Sequence, residues 1–347
     1  LWTREAIVPP DANDILRANG SAELRRRLDQ GTSEPAPEGE APPRPTILPE
    51  FMAMQFPPLE MVLSPIIPVK GIVMIYARRG IGKTHVALGC SYAAATGGRF
   101  LHWQSPRPHR VLHIDGEMQA AALQERWRWT MNGGPCPANL EMLSSDAAGI
   151  SFNLSALETQ TWVDGLLDGV ELMVLDNLSS LTNAAENDAE GWATIQDWLL
   201  RLRRRGVAVL MIHHAGKGGE QRGTSRREDV LDTSIALLHP ADYRPEQGAR
   251  FEVHYKKSRR ALGEDVKPFE AQLTTNGLEA CWTMSDLEDV EDRRIAELSQ
   301  NGLSVRDIAA ETGLSKSQIH RIQKRIQEKE DQERNSRLWG NQAAPVE

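Results

Sequence analysis

A chain of 347 residues, 40% hydrophobic and 25% charged, is long enough for one large core and a small accessory domain. Its formal charge of −8 excludes a surface coated in positive potential, although basic clusters at 201–205 (RLRRR), 256–260 (KKSRR) and 301–327 leave room for local contact with nucleic acid. No apolar run reaches the roughly 18 residues of a membrane span, and the first 30 residues lack the order of a signal peptide, so a cytoplasmic protein with no membrane partner is expected. Cys90, Cys136 and Cys281 lie far apart with no metal spacing, which predicts buried, reduced thiols.

In chain order, the sequence begins with Leu rather than Met, which reads as a portion of a longer product. Residues 1–30 hold a short helical remnant, and the Pro- and Glu-rich stretch 31–48 reads as a disordered linker. A main domain follows over 49–285. There IIPVKGIVMIY is a buried strand run, 83–96 a helix, RVLHID (110–115) a strand, 119–130 a helix and ELMVLD (171–176) a strand. Trp192, Ile195, Trp198, Leu199 and Leu202 mark one face of a helix over 190–204, before the strand VAVLMIH (207–213). This alternation predicts an α/β fold with a mostly parallel sheet flanked by helices. The runs 233–238, 250–255 and 268–273 lack helices between them and predict an antiparallel extension. The acidic stretch SDLEDVEDRR reads as a hinge to a small all-α domain over 286–330, with a disordered tail over 331–347.

The stretch ARRGIGKT (Ala77, Arg78, Arg79, Gly80, Ile81, Gly82, Lys83, Thr84), with His85 next, has the form of a phosphate loop in which Ala77 replaces the first Gly. Successive backbone N–H groups would curve around a phosphate, Gly80 and Gly82 permit the curvature, Lys83 neutralises the β and γ oxygens, and Thr84 reaches Mg²⁺. Asp176, ending LMVLDN, stands where a second metal-holding carboxylate is needed. Glu117, in DGEM, is the candidate to orient the attacking water, and Asp115 is close enough to compete. His213 and His214 end a strand at the edge where such sheets place ligands, with His214 favoured to contact the γ-phosphate. The residue that grips adenine has no fixed spacing and is not legible.

The ordered set ARRGIGKT, DGEM, LMVLDN, MIHHAGKGG, RGTSRREDVLD and YKKSR resembles the RecA-like P-loop ATPases of the RepA type, hexameric replicative helicases of plasmids and phages related to DnaB, over about residues 50–280. The resemblance implies a RecA-like P-loop NTPase fold using ATP and Mg²⁺ in a homo-hexamer with ATP between neighbours. It makes Glu117 the catalytic base and His214 the γ-phosphate sensor. Lys257 and Arg259 become fingers reaching the adjacent subunit, and Lys217, Arg222, Arg226 and Arg227 a loop tracking single-stranded DNA. Two departures stand out: Arg78 and Arg79 add charge to the phosphate loop, and residues 215–229 hold no aromatic to stack on bases.

LSVRDIAAETGLSKSQIHRIQKR resembles a helix-turn-helix, with Val305, Ile308 and Ala309 inward and Gly313 in the turn. A Ser-capped second helix would present Gln318, His320, Arg321 and Lys324 to a DNA major groove. The opening PPDANDILRANG is similar to the tail that follows a TOPRIM primase domain, which implies a primase upstream or as partner. Together these features predict an ATP-driven DNA helicase or translocase acting in replication of a plasmid, phage or integrative element. The alternatives are a DNA-binding regulator with a nucleotide-switched ATPase domain, and a recombinase-like filament former.

Overall fold

The computed structural model describes residues 45–182, 189–215, 229–277 and 279–340. The chain divides into two units, residues 1–58 and 59–347. In the first, residues 45–58 carry the short helix α1 (Leu48–Ala53), none of whose side chains is buried. The remnant expected over 1–30 and most of the linker expected over 31–48 lie outside the described residues.

The second unit opens with a small antiparallel pair, β1 (Met61–Leu63) and β2 (Ile67–Pro68), and continues through β3 (Ile72–Ala77), α2 (Lys83–Thr96), the hairpin β4 (Arg99–Phe100) and β5 (Trp103–Gln104), and β6 (Val111–Asp115). There follow α3 (Ala120–Met131), β7 (Leu140–Ser144), α4 (Ser145–Ala148), α5 (Leu157–Asp164), β8 (Leu172–Asp176), α6 (Ala189–Arg205) and β9 (Ala208–His214). β10 (Thr233–Leu238), β11 (Arg250–Ser258), β12 (Phe269–Asn276) and β13 (Glu279–Asp286) precede the helices α7 (Leu287–Gln300), α8 (Val305–Thr312) and α9 (Lys316–Gly340).

One nine-stranded sheet has the order β13-β12-β11-β10-β3-β9-β8-β6-β7. The six strands from β10 to β7 pair in parallel, and β11, β12 and β13 extend the sheet antiparallel. The expected α/β architecture, a mostly parallel sheet flanked by helices with an antiparallel extension and a small all-α end, is the one found. Every residue of β3, β8 and β9 is buried, because helices cover both faces of these central strands. Alternate side chains divide between two cores. Val73, Ile75, Val174 and Ile212 join α2 on one face, whereas Ile72, Met74, Met173 and Met211 join Trp192, Trp198 and Leu202 of α6 on the other.

Several sequence expectations need correction. The acidic stretch read as a hinge is the end of β13 followed by α7, whose Ile295 is fully buried and whose Asp292 takes Arg325 Nε at 3.0 Å. β13 itself was not read, because an edge strand of mostly exposed residues carries little hydrophobic alternation. α9 runs on to Gly340, so the tail expected from 331 begins in helix, and 341–347 lie outside the described residues. Of the three thiols only Cys90 is buried, and Cys136 and Cys281 are exposed. Among the described residues no helix is long and apolar enough to cross a membrane.

Candidate functional site

Four adjacent strands set the site. β3, β9, β8 and β6 are parallel neighbours, and the register pairs Ala77 with His214 and Asp115 with Asp176, so their carboxyl ends meet along one edge. The loop leaving β3 exposes Arg78, Arg79 and Gly80, while Ile81 is 1% exposed and anchors the turn in the core. Gly82 (φ 107°) sits at the head of α2, where a Cβ would lie 2.8 Å from that of Ala249; both conformation and space demand glycine. The first N–H groups of α2 and its positive end therefore face the loop.

Lys83 folds back across this loop, donating from Nζ to the carbonyls of Arg78 (2.7 Å) and Ala77 (3.2 Å). Burial pulls its pKa down to about 8 against the opposing pull of Asp176 and Glu117. Thr84 hydrogen-bonds Asp176, which is 3% exposed. Burial, and then the neighbouring Asp115, push the Asp176 pKa up to about 7. Asp115, 1% exposed and raised to about 6 mainly by burial, accepts the N–H groups of Met118 (2.9 Å) and Glu117 (3.3 Å) on Oδ1. Asp115 thereby shapes the turn that carries Glu117. Asp115 Oδ2 and Asp176 Oδ2 are buried without hydrogen-bond partners.

The site fits a divalent cation. Two orphaned carboxylate oxygens beside a threonine hydroxyl are a cost that positive charge removes. Among the described residues no group of three or more His, Cys, Asp or Glu gathers as a metal centre. Mg²⁺ needs none, since it binds through one or two carboxylates, substrate phosphates and water.

Glu117 reaches over the same edge with its side chain 55% exposed. Asn177 Nδ2 donates to Glu117 Oε2, and His214 Nε2 lies 3.7 Å from that oxygen. Asn177 was not singled out from sequence; its only signal is its place directly after Asp176, at the end of the strand beside β6. His213 is also buried, with Nδ1 3.4 Å from Ser179 Oγ. His85 is partly buried near Trp129 (ring centroids 6.1 Å apart), and burial, then Arg126, lower its pKa to about 4, so the ring is neutral.

The structure does not bring Lys257 and Arg259 to this edge. β11 runs antiparallel to β10, so Lys257 pairs with Ser234 at the opposite, amino end of the sheet, roughly the length of β3 (about 15 Å) from the loop. Arg259 donates there to Asp229 O (2.5 Å) and lies 3.8 Å from Asp232 Oδ1. Lys217, Arg222, Arg226 and Arg227 lie outside the described residues. In the C-terminal helices, Ile295, Ile308, Ile319 and Ile322 form a small core, and Gly313 (φ 73°) makes the turn. Gln318, His320, Arg321 and Lys324 are all exposed on α9, but Gln318 Oε1 accepts from Ser315 N (2.9 Å) and Oγ (2.8 Å) as part of the helix cap. Arg325 is engaged by the buried Asp292, so it is not part of the basic face.

Beneath the acids, fully buried His113 sits 2.8 Å from Ser91 Oγ on α2, and burial lowers its pKa to about 3. The unfolded chain therefore takes up a proton below about pH 6.5 that the folded chain refuses, and stability falls as pH drops from 6.5 towards 3. In His113→Leu, where Ser91 keeps its bond to Ala87 O (2.9 Å), this loss should be milder by up to about 1.4 kcal/mol per pH unit, read from urea unfolding at pH 7, 6 and 5. Equal slopes in both proteins would contradict the assignment.

The AAA domain profile matches residues 37–220, and that of a homeodomain-like domain matches residues 290–334. No curated protein sequence matches the chain. Among solved structures, a KaiC-like protein of the hyperthermophilic archaeon Pyrococcus horikoshii is similar at 14% identity and a TM-score of 0.45, over 65% of this chain and 100% of that one.

Proposed function

The chain belongs to the AAA domain family, and on that premise we propose that its RecA-like P-loop ATPase domain is a DNA helicase or translocase of the RepA type, acting in replication of a plasmid, phage or integrative element. The observation that carries the reading is one edge where Lys83, Thr84, Asp176 and Glu117 converge, in a chain that ends in a helix-turn-helix.

In this reading, ATP takes the place of the two carbonyls that Lys83 now contacts, and the ammonium moves onto the β and γ oxygens. Thr84 and Asp176 would hold Mg²⁺, which would supply positive charge to neutralise the phosphates. Glu117 orients the attacking water and accepts its proton, Asn177 and His214 hold the carboxylate that does so, and Asp115 fixes its backbone. His214, between Glu117 and the loop, registers the γ-phosphate. Because Lys257 and Arg259 sit at the far edge of their own sheet, any finger role they have is exercised in a neighbour's site. A homo-hexamer is part of this reading, and native mass spectrometry with a non-hydrolysable ATP analogue and Mg²⁺ should give six chains; a persistent monomer would refute the ring. The primase partner, the loop of Lys217, Arg222, Arg226 and Arg227 on single-stranded DNA, and the cytoplasmic setting belong to the same proposal.

His320, Arg321 and Lys324 share the exposed side of α9, opposite Ile319 and Ile322, and suit a duplex backbone. Arg321→Ala and Lys324→Ala should each weaken duplex binding and lower the slope of log K against log salt by about 1. An unchanged slope in a salt titration would remove this face from DNA. A regulator with a nucleotide-switched ATPase has one specific observation in its favour: Asp286 ends β13 and is directly followed by the first residue of α7, so the helix-turn-helix joins the sheet with no linker. Strand unwinding separates the two readings.

A further inference from the structure

A triphosphate in this loop has a direction. In the ATPase reading its terminal phosphate would face the acids on β8 and β6 and His214 on β9, so its nucleoside would extend over the other neighbour of β3, which is β10. β10 ends at Leu238, and residues 239–249 continue along the same carboxyl edge until β11 begins. This segment touches the phosphate loop, since Ala249 is the residue that a Cβ on Gly82 would strike.

The segment is rigidly held. Arg250, 7% exposed, donates from Nε and Nη2 to Glu270 (2.9 and 3.0 Å), from Nη1 to Gln247 Oε1 (3.1 Å) and from Nη2 to Asp242 Oδ2 (3.3 Å). Gln247 Oε1 also accepts Arg244 N (2.9 Å), closing a 3-10 turn over Pro245–Gln247. Within this frame His239 and Tyr243 stack face to face, with centroids 3.6 Å apart and planes 20° apart. Tyr243 Oη donates to Gly248 O at 3.0 Å, one residue from Ala249, and His239 Nδ1 lies 3.2 Å from Arg250 O. Both rings are partly exposed. A buried arginine cluster thus fixes an aromatic pair beside the phosphate loop, on the side towards which the nucleoside must point.

We propose that the Tyr243–His239 stack is the platform on which the nucleotide's purine ring lies, an inference that rests on the ATPase reading above. An aromatic face attracts any purine by dispersion and offset stacking, and a preformed stack gives up little conformational freedom on binding. The sequence offered no sign of it, because Tyr243 and Gly82 lie far apart in the chain and meet only through β10 and β11 pairing beside β3.

Calorimetry on the full chain with Mg²⁺ tests this, using a non-hydrolysable ATP analogue and inorganic tripolyphosphate as probes. Tyr243→Ala should weaken the analogue about 5- to 100-fold and leave tripolyphosphate unchanged, whereas Tyr243→Phe should bind both as wild type. In turnover, Tyr243→Ala should raise KM and keep kcat. Equal weakening of both probes would make Tyr243 a prop for its own loop and overturn the platform, as would wild-type affinity for both. Wild-type protein that binds tripolyphosphate as tightly as the analogue would also overturn it while sparing the phosphate loop. Wild-type protein that binds neither would overturn the loop reading itself, and this inference with it.

Discussion

Lys83→Ala is expected to lower ATP turnover about 100- to 1000-fold while the protein stays folded, the scale on which losing one preorganised charge contact to a transition state is felt. Its ammonium is buried and held away from water by two carbonyls, and its pKa is already drawn down to about 8. Removing it takes away a charge whose desolvation the apo protein only partly offsets, so melting temperature should not fall. Turnover close to wild type would mean that the phosphate lies elsewhere. Lost turnover together with a collapsed melting temperature would make Lys83 a structural residue.

Glu117→Gln should separate binding from chemistry. The amide keeps the shape of the side chain and its place near Asn177 and His214, but it cannot accept a proton from water. Turnover should drop about 100- to 10,000-fold with nucleotide affinity within a factor of a few of wild type. Asp115, the competing acid, is 1% exposed and spends Oδ1 on two backbone N–H groups, which leaves it poorly placed to meet a free water. Asp115→Asn should therefore act through the turn and through Asp176, weakening nucleotide binding as well as turnover. The opposite pattern, with full turnover in Glu117→Gln and none in Asp115→Asn at unchanged affinity, would reverse the two roles.

The site was legible in the sequence wherever it is local. Residues 77–84 declare themselves because a phosphate loop needs its glycines, lysine and threonine within one turn, and Asp176 and His214 because strand-terminal polar residues after apolar runs mark a sheet's carboxyl edge. Asn177, the burial of Asp115, the Arg250 cluster and the Tyr243 stack depend on which strands become neighbours, and spacing along the chain carries no record of that. Charge hid α7: its acids mask a single buried face, and one of them, Asp292, is an interior partner of Arg325 rather than a solvated hinge residue. Lys257 and Arg259 were legible as a basic pair, but only the antiparallel course of β11 shows that they stand at the edge opposite the phosphate loop.

The central claim, that this edge burns ATP to move along DNA, is tested most directly by steady-state ATP hydrolysis of the full chain with Mg²⁺, with and without single-stranded DNA. The account predicts Mg²⁺-dependent turnover that single-stranded DNA accelerates several-fold. Turnover indifferent to single-stranded DNA, or none at any Mg²⁺ concentration, would contradict it.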